Sequence, residues 1–463
     1  MPRRMSAALC ALFLAVPSGA VFADADRPLS TLLVDLFSPT NPLVLDTSVG
    51  HDAHFVSQPD ALQTLGELNR GIASQLSTFP LGSSSGGFTY SFDPALGVYN
   101  RSAESFGPLF AERALTAGKG KINFGVNYQR SVYDTFEKLE LQEGEFNINL
   151  THEDSNADGS TAQFFFEGDI INAAYSIHLE SETAVLFGSY GVSDRLDVGL
   201  AIPVVRLDMN VQIRTEIERL ATNPSSIDPN SPLFGFVFHK FDASSTQYTC
   251  PGATCGPLAF ADAEGTASGV GDIVVRSKYA LKSGESGALA AGVDLRLPTG
   301  DEEDLLGSGS TQTKVFLIAS GPATGFSPHV NIGYTFSNGS STAVGELPDE
   351  YNYTVGFDAA LGSRVTINAD IIGRTLLDAN RLIRTDREFF FNTSIDPNAP
   401  AIDSTFRDEF VTESGDLNLL LAAVGFKVNI LSELLFTGNV LFGIGDRGLQ
   451  SNITPVFGLD YTF

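Results

Sequence analysis

The feature that most constrains the fold of this chain is a series of short segments in which apolar and polar residues alternate. Side chains of a strand point to opposite faces in turn, so this period predicts strands with one apolar and one polar face. In residues 121–129, for example, Ile122, Phe124 and Val126 share the apolar face. Similar segments occur at 272–281, 289–297, 329–336, 351–357, 365–371 and 436–442. Such strands suit a closed barrel with lipid outside and a polar interior.

The connections between these segments alternate between short and long. Short ones are expected at 117–120, 193–196, 282–287, 321–327, 362–364 and 431–433, and long polar loops at 135–168, 216–269, 300–312, 337–350, 377–416 and 444–452. Membrane barrels have short turns at one end and long loops at the other. With residues 88–92 and 106–117 as the first pair, the pattern predicts an all-β fold, a transmembrane antiparallel β-barrel of about 14 strands.

The last ten residues form an alternating segment that stops on an aromatic, with Phe457, Leu459, Tyr461 and Phe463 on one face. This segment resembles the closing strand of bacterial outer-membrane barrels, whose terminal Phe is read by the barrel-assembly machinery. We therefore expect Phe463 to be an assembly signal and the cell outer membrane to be the location. For this segment alone, the edge strand of a soluble sandwich is the alternative.

The N-terminal part has a different character. Arg3 and Arg4 precede an apolar run and small residues suited to cleavage, so residues 1–23 are predicted to be a signal peptide. Residues 61–76 carry leucines at helical spacing. Residues 24–85 are therefore expected to form a short, partly helical plug or periplasmic segment, with a loosely ordered leader as the alternative. Residues 86–463 would form the barrel.

Composition limits the partners. The chain has 55 acidic and 28 basic residues, a formal net charge of −27. Binding to nucleic acid needs clustered Lys and Arg, so nucleic acid is not expected as a partner. No cofactor is predicted either.

Three longer stretches carry a family resemblance: residues 191–204 (GVSDRLDVGLAIPV), 269–279 (GVGDIVVRSKY) and 295–309 (LRLPTGDEEDLLGSG). They resemble outer-membrane proteins of the family named for the MetA pathway of phenol degradation. That family is similar in architecture to FadL-type channels for fatty acids and aromatic hydrocarbons, which carry an N-terminal hatch. The Asn-Pro-Ala motif of that hatch is absent here, the nearest text being residues 39–43 (PTNPL).

The resemblance implies a channel for passive uptake of small hydrophobic or aromatic compounds. Outer-membrane lipid, lipopolysaccharide, the barrel-assembly machinery and small apolar solutes are the implied partners. A general porin and a structural or adhesive barrel are the alternatives. An outer-membrane hydrolase is a weaker one, because His178 and His329 are the only histidines on predicted strands and both fit a polar lining. We therefore expect no enzyme.

Pro203 is the candidate for a lateral opening in the barrel wall. Apolar residues occupy even positions from Val198 to Val204 and odd positions from Leu207 to Ile213. One residue inserted into the alternation is the mark of a β-bulge, and a distorted wall strand could release apolar ligands sideways. A local bend without a role in transport is the alternative.

Charged and polar residues on the polar faces are candidates for lining the lumen and contacting substrate. This set comprises Arg276, Lys278, Asp294, Arg296, His329, Asn331, Asp358, Asp370 and Arg374. Ion-pair networks without a substrate role are the alternative, because an unpaired charge inside the barrel is costly.

Two loop features remain. Cys250 and Cys255 are close together in an exported chain, which predicts a loop disulfide. Asp154, Asn156 and Asp158 match the start of a calcium loop, but Phe165 stands where the closing Glu is needed. We therefore predict no metal site there and keep these three residues as a weak candidate.

Overall fold

A computed structural model gives the fold of the chain. It describes residues 28–35, 59–78 and 80–463, the last range with gaps at 81, 84–86, 94–95, 97, 153, 155–161, 163, 238, 242–255, 342–344 and 397. A 3-10 turn at Leu29–Thr31 leads into α1 (Leu32–Asp35), and α2 (Pro59–Ser77) and α3 (Pro224–Ile227) follow. No helix in these ranges has the length and apolar character needed to cross a membrane. The predicted signal peptide lies outside them.

The strands of the described ranges are numbered along the chain. They are β1 Tyr90–Asp93, β2 Val98–Arg101, β3 Ile122–Tyr133, β4 Thr135–Phe136, β5 Leu139–Glu140, β6 Phe146–Thr151, β7 Ile170–Gly191, β8 Leu196–Glu218, β9 Leu258–Val270, β10 Ile273–Gly284, β11 Gly287–Leu297, β12 Thr311–Ser320, β13 Phe326–Asn338, β14 Ser340–Ser341, β15 Gly345–Glu346, β16 Glu350–Ala360, β17 Val365–Asn392, β18 Ile402–Leu431, β19 Leu434–Gly443, β20 Leu449–Gln450 and β21 Thr454–Thr462.

Twelve of these strands close into an antiparallel barrel. The order around the wall is β7-β3-β21-β19-β18-β17-β16-β13-β12-β11-β10-β8, and β8 pairs again with β7. The predicted all-β barrel fold is confirmed. The strands β6 and β9 extend the same sheet to 14 strands but stand outside the closed ring.

The first strand pair predicted from the sequence is wrong. Residues 106–117 form no strand, and β1 pairs only with β2 in a separate hairpin. The first strand of the wall is β3, beside the closing strand β21. We call the end of the barrel that holds Phe463 the lower end, where Phe463 N donates to Ile122 O at 2.8 Å. The upper end carries the long loops.

The outer face of the wall is apolar and its inner face is polar. Each wall strand exposes a large apolar side chain outward: Phe124, Leu186, Leu200, Val275, Val293, Leu317, Ile332, Val355, Ile371, Val424, Val440 and Phe457. Each also buries a polar side chain inward: Asn127, Thr183, Asp197, Lys278, Asp294, Gln312, His329, Asn352, Asp370, Lys427, Asn439 and Asp460. The alternation in the sequence therefore follows the two faces of the wall. We call this part of the barrel the band.

Above the band the polarity of the two faces is reversed. In the upper half of β7, the inward residues are apolar and buried, among them Ile171, Tyr175 and Ile177, while Asn172 and Ser176 point outward. The upper parts of β6 to β9 and the β17–β18 hairpin, together with α1 and α2, form what we call the cup. Its apolar residues face one another, as in the core of a water-soluble protein.

The β-bulge predicted at Pro203 is wrong. The strands β7 and β8 pair from Ile170↔Glu218 to Gly191↔Asp197 without any register shift. Odd positions of β8 face inward along its whole length, so that buried Asp197 and buried Leu207 lie on the same side. The apolar phase changes in the sequence because β8 passes from the band into the cup, where the polarity inverts.

The long loop predicted at 377–416 is also wrong, and the loops predicted at 135–168 and 216–269 contain the sheet strands β6 and β9. After one irregularity between Leu376 and Ala379, the β17–β18 ladder continues to Asn392↔Ile402. Its charged residues suggested a loop because this hairpin stands above the band, with polar residues on its outer face and Leu382, Phe389 and Phe410 buried.

The helix expected at residues 61–76 is α2, and it lies in the cup. Leu65, Leu68 and Ile72 are fully buried in one cluster with Tyr175 and Met209. The helix contacts β6, β17, β18 and β20, and α1 contacts β9. The apolar face of this amphipathic helix therefore completes the core of the cup.

Candidate functional site

Residues 103–117, which we call the luminal segment, run through the interior of the band without helix or strand. Buried backbone amides need hydrogen-bond partners, and side chains of the wall supply them. The acceptors are Thr366 Oγ1 for Phe106 N at 2.9 Å, Asp370 Oδ2 for Phe110 N at 3.2 Å, Asn331 Oδ1 for Glu112 N at 2.6 Å, Ser320 Oγ for Ala114 N at 3.0 Å and Asp197 Oδ2 for Ala117 N at 2.9 Å. Polar side chains inside the barrel thus hold an irregular segment across its lumen.

A buried network centred on Asp358 strengthens this attachment. The Asp358 carboxylate pairs with Arg113 of the luminal segment at 3.2 Å and also binds His329 Nε2. A hydrogen bond of 2.9 Å joins His329 Nδ1 to Ser320 Oγ. The order Ser-His-Asp is that of a hydrolase triad, but Ser320 Oγ already accepts the Ala114 amide and all three side chains are buried under the luminal segment. The contacts are those of a tether.

A cavity of about 130 Å³ lies between the luminal segment and the residues that follow α2. Thr78 and Pro80 line it on one side, and Phe110 and Glu112 of the luminal segment on the other. The remaining lining comes from β10, β11, β12, β13, β16 and β17. Apolar rings and charged groups therefore line the same space.

Most charges around the cavity are paired. Arg276 donates to both oxygens of Asp294, Nε to Oδ1 and Nη2 to Oδ2, each at 2.6 Å, and it also pairs with Glu112. Arg374 holds Glu350 through Nε at 2.9 Å and Nη2 at 2.6 Å. The contact of Arg276 with both oxygens of Asp294 is of the strong bidentate type, whereas both Arg374 donors bind Oε2 of Glu350. These pairs keep the charged lining in place.

Two wall arginines also bind the end of α2. Arg296 Nη1 donates to Ser77 O at 2.7 Å, and Arg374 Nη1 donates to Thr78 O at 3.1 Å. The last carbonyls of a helix lack partners within the helix and carry partial negative charge, so cations are favoured there. These two side chains therefore link the end of α2 in the cup to the lining of the cavity.

The wall is interrupted beside Pro203. The residues Gly271 and Asp272 separate β9 from β10, and Gly271 N donates to Pro203 O at 2.8 Å. Among the described strands, β9 pairs only with β8. The loop at 300–308 covers this place, since Asp272 accepts from Gly300 N at 3.1 Å and from Ser308 N at 2.9 Å. The irregularity lies between β9 and β10, which pair with β8 on either side of Pro203.

Comparison with known proteins finds a family model that is similar to the middle of the chain. Residues 172–370 match the family model described as "Putative MetA-pathway of phenol degradation". The family resemblance is confirmed. The chain is a β-barrel of the outer membrane. The apolar outer face of the band suits this part of the wall to the bilayer. The lower end of the barrel is then periplasmic and the cup stands on the extracellular side, because long loops of such barrels face outward.

Several solved structures are similar in fold. They include the COG4313 outer membrane channel from Pseudomonas putida F1 (10% identity, TM-score 0.42, covering 76% of this chain and 98% of that chain), the CymD monoaromatic hydrocarbon channel (11%, 0.30, 74% and 88%) and a Pseudomonas aeruginosa FadL homologue (12%, 0.29, 74% and 90%). No curated protein matches the sequence.

The predicted lumen residues fall into two groups, one that lines the cavity and one that binds the luminal segment. Arg276, Asp294, Arg296, Asn331 and Arg374 line the cavity. The others bind the luminal segment: Lys278 donates to Arg113 O at 3.1 Å and Asp370 accepts from Phe110 N. His329 and Asp358 belong to the tether described above. Their direct role with substrate stays a prediction.

The other predicted sites are described only in part. The two cysteines, Cys250 and Cys255, are outside the described residues, as are Asn156 and Asp158 of the weak calcium candidate, whose Asp154 is described. Phe463 is 64% exposed at the lower end of the outer wall.

Sequence reasoning missed several cavity and tether residues. Glu112 and Arg113 lay in a stretch interpreted as a wall strand, so their position in the lumen was not foreseen. Alternation along the strands could have predicted Lys314 and Glu350 as lumen residues. Lys314 lies on the polar face of β12 beside outward Val315, and Glu350 on the polar face of β16 beside outward Tyr351. Lys427, opposite Phe426, is the third of this kind.

Proposed function

We propose that this protein is a channel for passive uptake of small hydrophobic or aromatic compounds across the outer membrane. The observation that carries the proposal is the apolar interior of the cup, which stands above a band whose own interior is polar and occupied. Apolar solutes are poorly soluble in water and gain by transfer into an apolar interior. The cup would receive them, and the cavity below would be the next compartment.

The luminal segment favours a selective channel over a general porin. Its residues cross the interior at the level of the band, and five of its amides are bound to the wall. A porin needs a continuous aqueous path. Passage through this barrel therefore requires either movement of the luminal segment or an exit through the wall.

We propose the neighbourhood of Pro203 as that exit. Support comes from the break at Gly271–Asp272 and from the loop at 300–308 that covers it. A Cβ placed on Gly269 would lie 3.0 Å from Leu306 Cδ1, so this loop packs directly on β9. Movement of the loop would uncover the edge of β9 and a side path into the lipid.

A solute panel in proteoliposomes tests the channel. Purified full-length protein should give saturable uptake of toluene and of a medium-chain fatty acid, with no flux of glucose above protein-free vesicles. Equal flux of glucose and toluene would favour a general porin and would reject the proposal. No flux of any solute would favour a structural or adhesive barrel.

A reversible crosslink tests the exit. The Gly269→Cys, Leu306→Cys double variant, when oxidised, should show lower toluene uptake than the same sample after reduction. The wild type, oxidised and reduced, controls for Cys250 and Cys255. Equal uptake by the oxidised and reduced double variant, with the crosslink verified by mass, would reject a lateral path here while leaving the channel proposal intact.

We also propose two partners in the outer membrane, the barrel-assembly machinery and lipopolysaccharide. Phe463 ends the outer wall, where the barrel-assembly machinery would recognise it, and the outer leaflet would supply lipopolysaccharide around the base of the cup. Phe463→Ala should lower the yield of heat-modifiable barrel in cells, whereas Phe457→Ala, on the same outer face of β21, should lower it less. Equal yields for wild type and Phe463→Ala would count against this signal.

A further inference from the structure

The cavity concentrates positive charge in an acidic protein. The chain has 28 Lys and Arg residues in total, and four of them, Arg276, Arg296, Lys314 and Arg374, line this one space. The lining contains three carboxylates, Glu112, Asp294 and Glu350. Burying cations is costly unless anions compensate them. One positive charge is therefore in excess in the lining.

Among the described residues, the ion pairs leave two cations of the lining, Lys314 and Arg296, without a carboxylate partner. Lys314 lies directly across from Asp294 on neighbouring strands, both facing inward. Arg276 already occupies both oxygens of that carboxylate at 2.6 Å. Glu350 is similarly occupied, with Oε2 bound by Arg374 and Oε1 by Asn352 at 2.9 Å. In the described part of the chain, no carboxylate forms an ion pair with Lys314 or with Arg296.

The two cations differ in what else they bind. Arg296 donates to Ser77 O and is engaged in holding the end of α2. The ammonium of Lys314 lies 5.3 Å from the centre of the Phe316 ring. The guanidinium of Arg276 lies 5.5 Å from the same centre. Contact with a ring offsets only part of the cost of removing an ammonium from water. Lys314 therefore differs from Arg296, whose Nη1 is held by Ser77 O, in having its whole ammonium group ready to donate to a ligand.

The other lining residues and the cavity volume indicate the size and polarity of the rest of the ligand. Pro80, Phe110, Val274, Phe316 and Ile372 supply apolar surface around the charged groups. The cavity volume is about 130 Å³, close to the roughly 150 Å³ of a protein cavity that accepts benzene. A compact ring fits this space, whereas a long acyl chain could place only its head there.

We propose that Lys314 recognises the carboxylate of a small aromatic or similarly compact apolar acid, of the size of benzoate, bound in this cavity. The proposal rests on the uptake function proposed above and names the chemical class that the cavity selects. The ammonium would donate to the carboxylate, Arg296 would add positive potential from the neighbouring strand, and the ring would pack on Phe110, Phe316 and Ile372.

Calorimetry on full-length protein in detergent micelles tests the site with three probes: benzoate, benzyl alcohol and toluene. Wild type should bind benzoate at least about ten-fold more tightly than benzyl alcohol, because a charge-assisted hydrogen bond replaces a neutral one. Lys314→Met should lose that ten-fold preference and keep its affinity for benzyl alcohol. Lys282→Met, at an exposed position near the lower turn of β10, should behave as wild type.

Charge reversal sharpens the test. Lys314→Glu should prefer benzylamine to benzoate, a change that general destabilisation would not produce. Heat-modifiable migration in electrophoresis verifies that each variant is a folded barrel. Should a variant fail to fold, Lys314→Gln retains the polarity of the side chain and provides the same comparison.

The outcomes separate this proposal from the channel proposal. If wild type binds benzoate no better than benzyl alcohol, or if Lys314→Met retains the preference, carboxylate recognition by Lys314 is rejected. That result leaves toluene uptake in proteoliposomes as an independent measure of the channel. Benzoate preference that depends on Lys314, in a protein without toluene flux, would support the binding site and reject the uptake function.

Discussion

The band and the cup are built from the same strands with opposite polarity. In the band, Leu200 points outward to lipid and Asp197 is buried inside; a short distance along β8, Gln212 points outward and Val211 is buried. The backbone pairing is continuous through both parts. The difference therefore comes from the medium on the outside, which is lipid around the band and water around the cup.

This difference also determines what fills each interior. In the cup, apolar side chains of the strands pack against α2 and the hydrophobic effect holds them together. In the band, lipid already covers the apolar side chains, so the interior is held by hydrogen bonds and ion pairs between the wall and the luminal segment. The two regions should consequently respond differently to the same kind of substitution.

The largest expected effect concerns the polar interior of the band. Asp358→Ala leaves Arg113 buried without its carboxylate partner, and breaking a buried pair in this way costs about 3–5 kcal/mol. We expect lower stability against urea in micelles and a higher single-channel conductance, because the luminal segment loses its tether. Asp386→Ala, at an exposed position of the β17–β18 hairpin, is the control. Unchanged conductance and stability in Asp358→Ala would contradict the tether.

A substitution in the apolar interior of the cup should affect stability locally. Leu68→Ala removes a fully buried side chain of α2 and should cost about 2–5 kcal/mol. The loss should appear as faster hydrogen exchange in α2 and the upper part of β7, while the lower part of β7 stays protected. Leu233→Ala, in an exposed loop, should change neither. Equal loss of protection along the whole of β7 would mean that cup and band unfold as one unit.

The outer faces can be compared on a single strand. Leu200→Arg places a charge in lipid and should destabilise the barrel by about 2–4 kcal/mol near the middle of the bilayer. Gln212→Arg makes the same kind of change on the water-facing cup and should cost less than about 0.5 kcal/mol. Reversible unfolding from phospholipid vesicles measures both. Similar values for the two variants would place the boundary between band and cup elsewhere.

The smallest expected effect is a pH dependence confined to the cup. Burial raises the pKa of Asp169, and contacts with His239, at 2.8 Å, and Arg219 lower it only in part. The folded state then binds the proton more tightly than the unfolded state, so this carboxyl's contribution to stability declines as the pH rises above about 4.

Asp169→Asn should remove that contribution. The difference in cup stability between wild type and Asp169→Asn, followed by hydrogen exchange from pH 4 to 8, should therefore change with pH in favour of the variant. A difference that is constant over this range would show that Asp169 does not titrate in it.

The sequence predicted the band better than the cup. Alternation at Phe124 and Val126, or at Val293 and Leu295, predicted strands with an apolar outer face, because lipid selects the side chains on that face. The same rule produced errors in the cup, among them the bulge at Pro203 and the loop at 377–416. In both places the chain leaves the lipid, and a change of surroundings was interpreted as a change of backbone.

The lumen was predictable only in part. Inward-facing charges such as Arg276 and Arg374 follow from their position opposite apolar residues on the strands. Their partners do not, because Glu112 and Thr78 come from segments that have no period of their own. The cavity exists only where these segments meet the wall.

The sequence by itself determined that this chain forms a barrel and which face of each wall strand meets lipid, since a period of two is a local property of each strand. Only the tertiary structure decided how many strands close the ring, which segment occupies the lumen and which cations of the cavity lack a carboxylate. Those features depend on contacts between residues far apart in the chain, such as Arg113 with Asp358 and Arg296 with Ser77. The sequence around either residue of such a pair does not indicate which residue will be its partner.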